Sequence, residues 1–171
     1  MQKTFSRVFI GTAISLLGIM WVYALFIASK ESINQFGDEA WQQRAENICN
    51  ETAVAREELA DYRLITDVGP DALSERADIV DKATEMLVQM VNQLASSTPT
   101  DAKGAELVPL WISDYRTYIS DRYAYSQMLR SGINDAFAET MIDGLPLSEK
   151  LATFAADNYM VSCKPPRDLS V

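Results

Sequence analysis

The sequence predicts a mainly α protein: an N-terminal transmembrane helix, then an antiparallel helical bundle of three long helices and a short C-terminal one. Three observations predict it. Residues 8–28 form an apolar run without a charge. Three later stretches repeat apolar residues at steps of three and four, the period of one helix face. Segments rich in Gly, Pro and Ser separate them, with connections short enough for antiparallel neighbours.

Val8 to Ala28 is 21 residues long. As a helix it covers about 31 Å, the thickness of a bilayer's hydrocarbon core. Trp21 and Tyr23 fall toward its outer half, where interfacial aromatics are favoured, and Lys30 can extend to the headgroups. Lys3 and Arg7 precede the run, and Lys30 on the other side stands among Glu31, Asp38 and Glu39. The positive-inside rule therefore puts residues 1–7 in the cytoplasm and residues 29–171 outside it, with the run as a signal-anchor in the plasma membrane. The alternative is a cleaved signal peptide. Its apolar core is shorter, roughly 7–15 residues, and it needs small residues before the cut. A cut after Ala28 sets Phe26 at the third position before it, which disfavours cleavage. Gly11 and Ser15 lie one turn apart and leave open a homodimer through this helix.

The charge is unevenly placed. All 24 acidic residues follow the run, where 13 basic residues oppose them, a net −11. Such a domain repels phosphate backbones, so no nucleic-acid partner is expected. It also offers no basic attraction to anionic lipid heads.

The first helix of the outer domain is read from about Asn34 to Thr66, on the face Trp41, Ala45, Ile48, Thr52, Ala55, Leu59 and Tyr62. Val68-Gly69-Pro70 ends it. Asp71 is the expected N-cap of the second. Its face is Leu73, Ala77, Val80, Thr84, Leu87, Val91 and Leu94, beside a stripe of Ile79, Ala83, Met86 and Met90 that reads as core filling rather than a metal site. Residues 96–100 form the next loop, with Lys103-Gly104 extending it. The third helix is expected to start near Pro109, a residue suited to a first turn, and to reach Arg130 before the cap Gly132. Residues 133–147 are open between a small β-hairpin, signalled by Asp143-Gly144, and an extra helix. Ser148 is expected to cap a short helix through about Asn158, and Cys163 with Pro165-Pro166 to end the ordered part.

Cys49 and Cys163 are the only cysteines. Outside the cytoplasm they read as one disulfide, closing a loop worth roughly 4–5 kcal/mol in the chain-entropy model. A redox-active thiol is less consistent with the absence of a Cys-x-x-Cys pair and of any histidine, and the same absence disfavours zinc.

Two stretches carry a resemblance. One is Trp111-Ile112-Ser113-Asp114-Tyr115-Arg116-Thr117-Tyr118, continuing into Asp121-Arg122. The other is Pro146-Leu147-Ser148-Glu149-Lys150, then Phe154-Ala155, Asn158, Met160 and Cys163 to Pro166. Together they resemble uncharacterised membrane-anchored small helical proteins of actinobacteria, over roughly the last 60 residues and the general layout. The resemblance implies a bacterial envelope location and brings no activity with it.

The third helix holds the candidate site. Asp114, Tyr118 and Arg122 recur every four residues, and Asp121 and Tyr125 repeat the step. One reading is an aromatic-lined pocket in which Arg122 meets an anionic ligand. The other, preferred, is structural: buried tyrosine rings with wetted hydroxyls, and an Arg122 paired with a carboxylate of this or another helix. No histidine base, Gly-rich phosphate loop or nucleophile elbow is present, and no motif selects two carboxylates from the many. No enzyme activity and no cofactor are expected. The expected role is a protein-interaction module of the envelope. The alternative is a ligand-binding sensor that signals through a partner, because seven cytoplasmic residues are too few for a signalling domain; a carboxylate-dependent enzyme ranks below both.

Overall fold

The structure is a computed structural model that describes residues 2–27, 32–59 and 71–169. The chain divides into two compact units, residues 1–33 and 34–171.

The first unit contains α1, Gln2–Val22, which runs on as a π-helical turn over Tyr23–Ile27. Within it Phe9–Ile27, with a mean hydropathy of 2.1, is long and apolar enough to cross a membrane.

The second unit contains α2 (Glu39–Glu57), α3 (Ala72–Ala95), α4 (Ala102–Arg130), a hairpin of β1 (Met141–Ile142) and β2 (Leu145–Pro146), α5 (Leu147–Asp157) and a 3₁₀ turn at Val161–Cys163. The predicted class is the observed one, a helical bundle with a small antiparallel hairpin.

α2 is shorter than the sequence suggests. It starts where Asp38 Oδ1 accepts the Trp41 N–H at 2.9 Å, and it gives way to a turn at Glu58. The expected continuation over residues 60–66 lies outside the described residues. Asp38 also accepts from the backbone N–H and the hydroxyl of Thr100, both at 2.8 Å, and so ties the start of α2 to the loop before α4. Those bonds, the Thr100 N–H first, hold its carboxyl below the ordinary value.

α3 begins after Asp71 as expected, although the Asp71 side chain makes no capping bond. Its predicted face is the buried one from Ala77 to Leu94, with Leu73 half-buried. α3 and α4 pack antiparallel. Their cross-links read Glu85 to Tyr123 near one end and Asp78 to Arg130 two turns away, so one number falls as the other rises.

The start of α4 corrects the sequence reading. Asp101, not the neighbourhood of Pro109, begins it, with Asp101 Oδ1 accepting the Gly104 N–H at 2.9 Å. Lys103 and Gly104 are first-turn residues rather than loop. Pro109 sits inside the helix, where a missing backbone bond costs about 3 kcal/mol. Its ring is exposed, and the extra two turns bury Gly104 and Val108, which offsets that cost. Gly104 is required here. A Cβ would lie 2.7 Å from Pro99 Cβ and 2.8 Å from Phe36 Cδ2.

The hairpin alternative is the one realised for residues 141–146. Asp143 and Gly144 have φ of 52° and 81°, the pair of left-handed residues that a two-residue hairpin turn needs. α5 then starts two residues earlier than read, with Pro146 rather than Ser148 in the cap position. Ser148 is not its cap. Glu139 accepts the Ser148 N–H at 2.6 Å and its hydroxyl at 2.8 Å, so a carboxylate from the preceding segment satisfies the helix start.

The core contains a continuous run of eight aromatic rings: Trp41, Phe36, Phe154, Trp111, Tyr115, Tyr118, Phe137 and Tyr125, each 5.3–6.2 Å from the next. It threads α2, α5 and α4 together. Asn158 locks the two ends of the unit. Its Oδ1 accepts the Phe36 N–H at 3.0 Å, and its amide donates to the carbonyls of Asn34 and Phe154 at 3.1 and 2.9 Å. The Cys49–Cys163 disulfide, with both residues buried, joins α2 to the 3₁₀ turn.

Candidate functional site

The four-residue ladder of α4 follows from its amphipathic period, and the structure shows where each rung goes. Asp114 pairs with Lys150 of α5 at 2.7 Å. Tyr118 is buried, and its hydroxyl donates to the Pro166 carbonyl at 3.1 Å. Asp121 accepts the Thr140 N–H at 2.8 Å and its hydroxyl at 3.1 Å. Tyr125 meets the edge of Phe137 at 5.6 Å. The five residues therefore do not converge on one ligand. Each fixes a different segment.

Arg122 is fully buried, and all three of its nitrogen types are used. Nε donates to Thr84 Oγ1 at 3.0 Å, and Nη1 and Nη2 donate to the two oxygens of Asp168 at 2.7 and 2.8 Å. The Thr84 hydroxyl in turn donates to the Val80 carbonyl at 2.6 Å, which leaves its lone pair facing Arg122. Arg122 also lies 6.0 Å from the centre of the Tyr118 ring. The carboxylate that Arg122 requires comes from the C-terminal segment rather than from a helix.

That segment corrects the reading that order ends at Pro165-Pro166. Residues 163–169 form a strap across α4. Tyr115 and Tyr118 hold its backbone at Cys163 and Pro166, and Arg122 holds its carboxylate. Arg56 of α2 adds a looser contact to Asp168, 3.6 Å, and its buried Nε has no hydrogen-bond partner among the described residues. Thr84, Arg56 and Asp168 were not singled out by the sequence. Thr84 reads as an ordinary member of the α3 core face. The only signal for Asp168 is an acid a few residues beyond the disulfide.

Electrostatics follow this geometry. Burial pulls the Asp168 carboxyl upward, but the hydrogen bonds and charge of Arg122, with Arg56 behind them, outweigh it and hold the group below its ordinary value. Burial likewise disfavours the Arg122 charge, and Asp168 more than restores it. Burial raises the phenols of Tyr115 and Tyr118, so both remain protonated donors to the strap.

Beside the strap lies a groove of about 350 Å³ bounded by Tyr118, Phe137, Ala152, Thr153, Pro165 and Leu169. Glu139, also on its wall, is engaged by Ser148. Among the described residues no three His, Cys, Asp or Glu side chains are grouped to hold a metal ion. The largest exposed apolar side chains of the second unit's connecting segments are Met141 and Leu145 on the hairpin and Tyr159 and Val161 beyond α5, each more than half exposed.

Comparison with known protein families, with curated proteins and with solved structures finds no match for this chain.

Proposed function

We propose that this is a single-pass protein of the bacterial plasma membrane whose extracytoplasmic helical domain binds another envelope protein. The observation that carries the reading is the fate of Arg122. An anion-binding pocket needs a guanidinium that a ligand can reach, and this one is fully buried and already paired with both oxygens of Asp168 and with Thr84. What the domain offers instead is a braced scaffold with a projecting hairpin. Met141 is 57% and Leu145 62% exposed on a two-stranded sheet whose outer edges pair with no further strand among the described residues. Exposed apolar side chains beside an unpaired edge suit a protein partner.

The membrane part rests on the apolar helix, on its basic N-terminal flank, and on a disulfide of the kind that persists in oxidising compartments. The resemblance to actinobacterial membrane-anchored proteins points to the same location. The homodimer through Gly11 and Ser15 remains part of the proposal.

A photo-crosslinking amino acid at position 145, read in intact cells, tests the partner. The expected result is a discrete adduct with an envelope protein that is absent when the probe stands at Gln127 on exposed α4 surface. Identical adduct patterns from the two positions, or none from 145, would remove the hairpin as a docking element.

The second reading is a sensor module that takes a small ligand and signals through a partner's membrane helix. The groove beside the strap favours it, having a volume within the range of small-molecule sites. A ligand there would raise the domain's melting temperature, and substitution of Thr153 by a bulky residue would abolish that shift.

A further inference from the structure

The end of α5 contains an anomaly. The Met160 N–H donates to the Ala155 carbonyl at 2.8 Å, and the Tyr159 N–H to the Ala156 carbonyl at 3.2 Å. This paired arrangement closes a helix C-terminus around one left-handed residue, and glycine usually fills that position. Here it is Tyr159, with φ of 59°. A side chain in this conformation is strained, and the ring regains little by packing, because it is 71% exposed. Val161, two residues on, is 58% exposed, while Met160 between them is fully buried and fixes the loop. The Tyr159 hydroxyl accepts a long contact from the Gln35 amide, at 3.5 Å. A strained, outward-held aromatic beside an exposed valine calls for an external surface.

The chain itself restricts which surface. Asn34, Gln35 and Phe36 are bonded to Asp157, Tyr159 and Asn158, so the domain's first residues lie against this loop. Six residues, 28–33, separate Asn34 from the end of the apolar helix at Ile27. Fully extended, they reach about 25 Å at most. The chain therefore keeps this loop within reach of the edge of any bilayer that the apolar helix crosses. Tyrosine is the residue type suited to that edge, with an apolar ring and a polar tip at headgroup depth. The local acids are already engaged: Asp157 accepts from the Asn34 amide, and Glu46 from the Ser162 N–H and hydroxyl. Lys164 stands exposed just beyond.

We infer that Tyr159 and Val161 form a membrane-contacting foot, seated in the outer headgroup layer of the bilayer that α1 spans. This rests on reading α1 as a membrane span. The contact is interfacial rather than ionic, in keeping with the acidity of the domain, and holds on neutral lipid.

The test uses the full chain in phosphatidylcholine nanodiscs, with p-benzoylphenylalanine placed singly at positions 159, 17 and 131. Leu17 lies within the apolar helix, and Ser131 follows the last residue of α4, whose first turn packs on Phe36. Lipid adducts by mass spectrometry are expected at 17 and 159, and severalfold fewer at 131. Adducts at 17 without an excess at 159 over 131 would overturn the foot and leave the anchor standing. No adduct at 17 would overturn the anchor, and the foot with it. A second measurement guards against a purely internal role. Tyr159→Gly relieves the backbone strain, so its thermal midpoint in detergent is expected to equal or exceed that of the parent. A clearly lower midpoint would show that the ring acts in packing and would contradict the inference.

Discussion

Asp168 meets Arg122 with both carboxylate oxygens, at 2.7 and 2.8 Å, across 46 residues of sequence. The two partners are unequal. The Arg122 side chain is fully buried, whereas that of Asp168 is 29% exposed. Removing the acid strands a buried charge with Arg56 nearby, while removing the base leaves an acid that water reaches. Asp168→Asn is therefore expected to destabilise the domain by about 3–4 kcal/mol and Arg122→Met by only about 1–2 kcal/mol. Urea midpoints of the two variants check the order, and the reverse order would contradict the burial argument.

The same pair sets a pH dependence. The folded Asp168 carboxyl titrates below its unfolded value of about 3.9, so its contribution is complete above that pH and is lost as pH falls through the lower folded value. Asp38 acts in the same direction. Stability should be level through neutrality with respect to these groups and fall steeply below about pH 4. The gap between the parent and Asp168→Asn should close in that range. A gap that does not narrow as the pH falls below about 4 would show that Asp168 acts by shape rather than by charge.

Gly104→Ala separates close packing from helix propensity. Alanine favours a helix by roughly 1 kcal/mol over glycine. The added methyl would meet Pro99, Phe36 and Asp101 at 2.7–2.8 Å. The expected net effect is a loss of about 1–2 kcal/mol in chemical denaturation. A gain would mean that α4 begins later than Ala102.

Replacing both Cys49 and Cys163 by alanine should cost roughly 4–5 kcal/mol, because the bridge spans a separation of 114 residues. Thermal melts should show a single transition at lower temperature. An unchanged midpoint would mean that the hydrogen bonds of Tyr115, Tyr118 and Asn158 hold the strap unaided.

What the sequence made legible was periodic or local. The α3 and α4 faces repeat over many turns, and Asp143-Gly144 carries its turn in two residues. The start of α4 was misread because Pro109 is a strong first-turn signal, while Asp101 lacks the Glu or Gln three residues on that would mark a capping box. The site was legible in part. Arg122's need for a carboxylate followed from its place on an apolar face. Its partner did not, since a pair across 46 residues leaves no periodic trace and the strap has no pattern of its own.

The proposal of a disulfide-braced domain outside the cytoplasm is tested most directly by the mass of the protein after acid quenching of intact cells, denaturation and thiol alkylation, with and without prior reduction. No alkylated cysteine is expected without reduction and two after it. Two alkylated cysteines without reduction would place the thiols in a reducing compartment and contradict both the brace and the orientation.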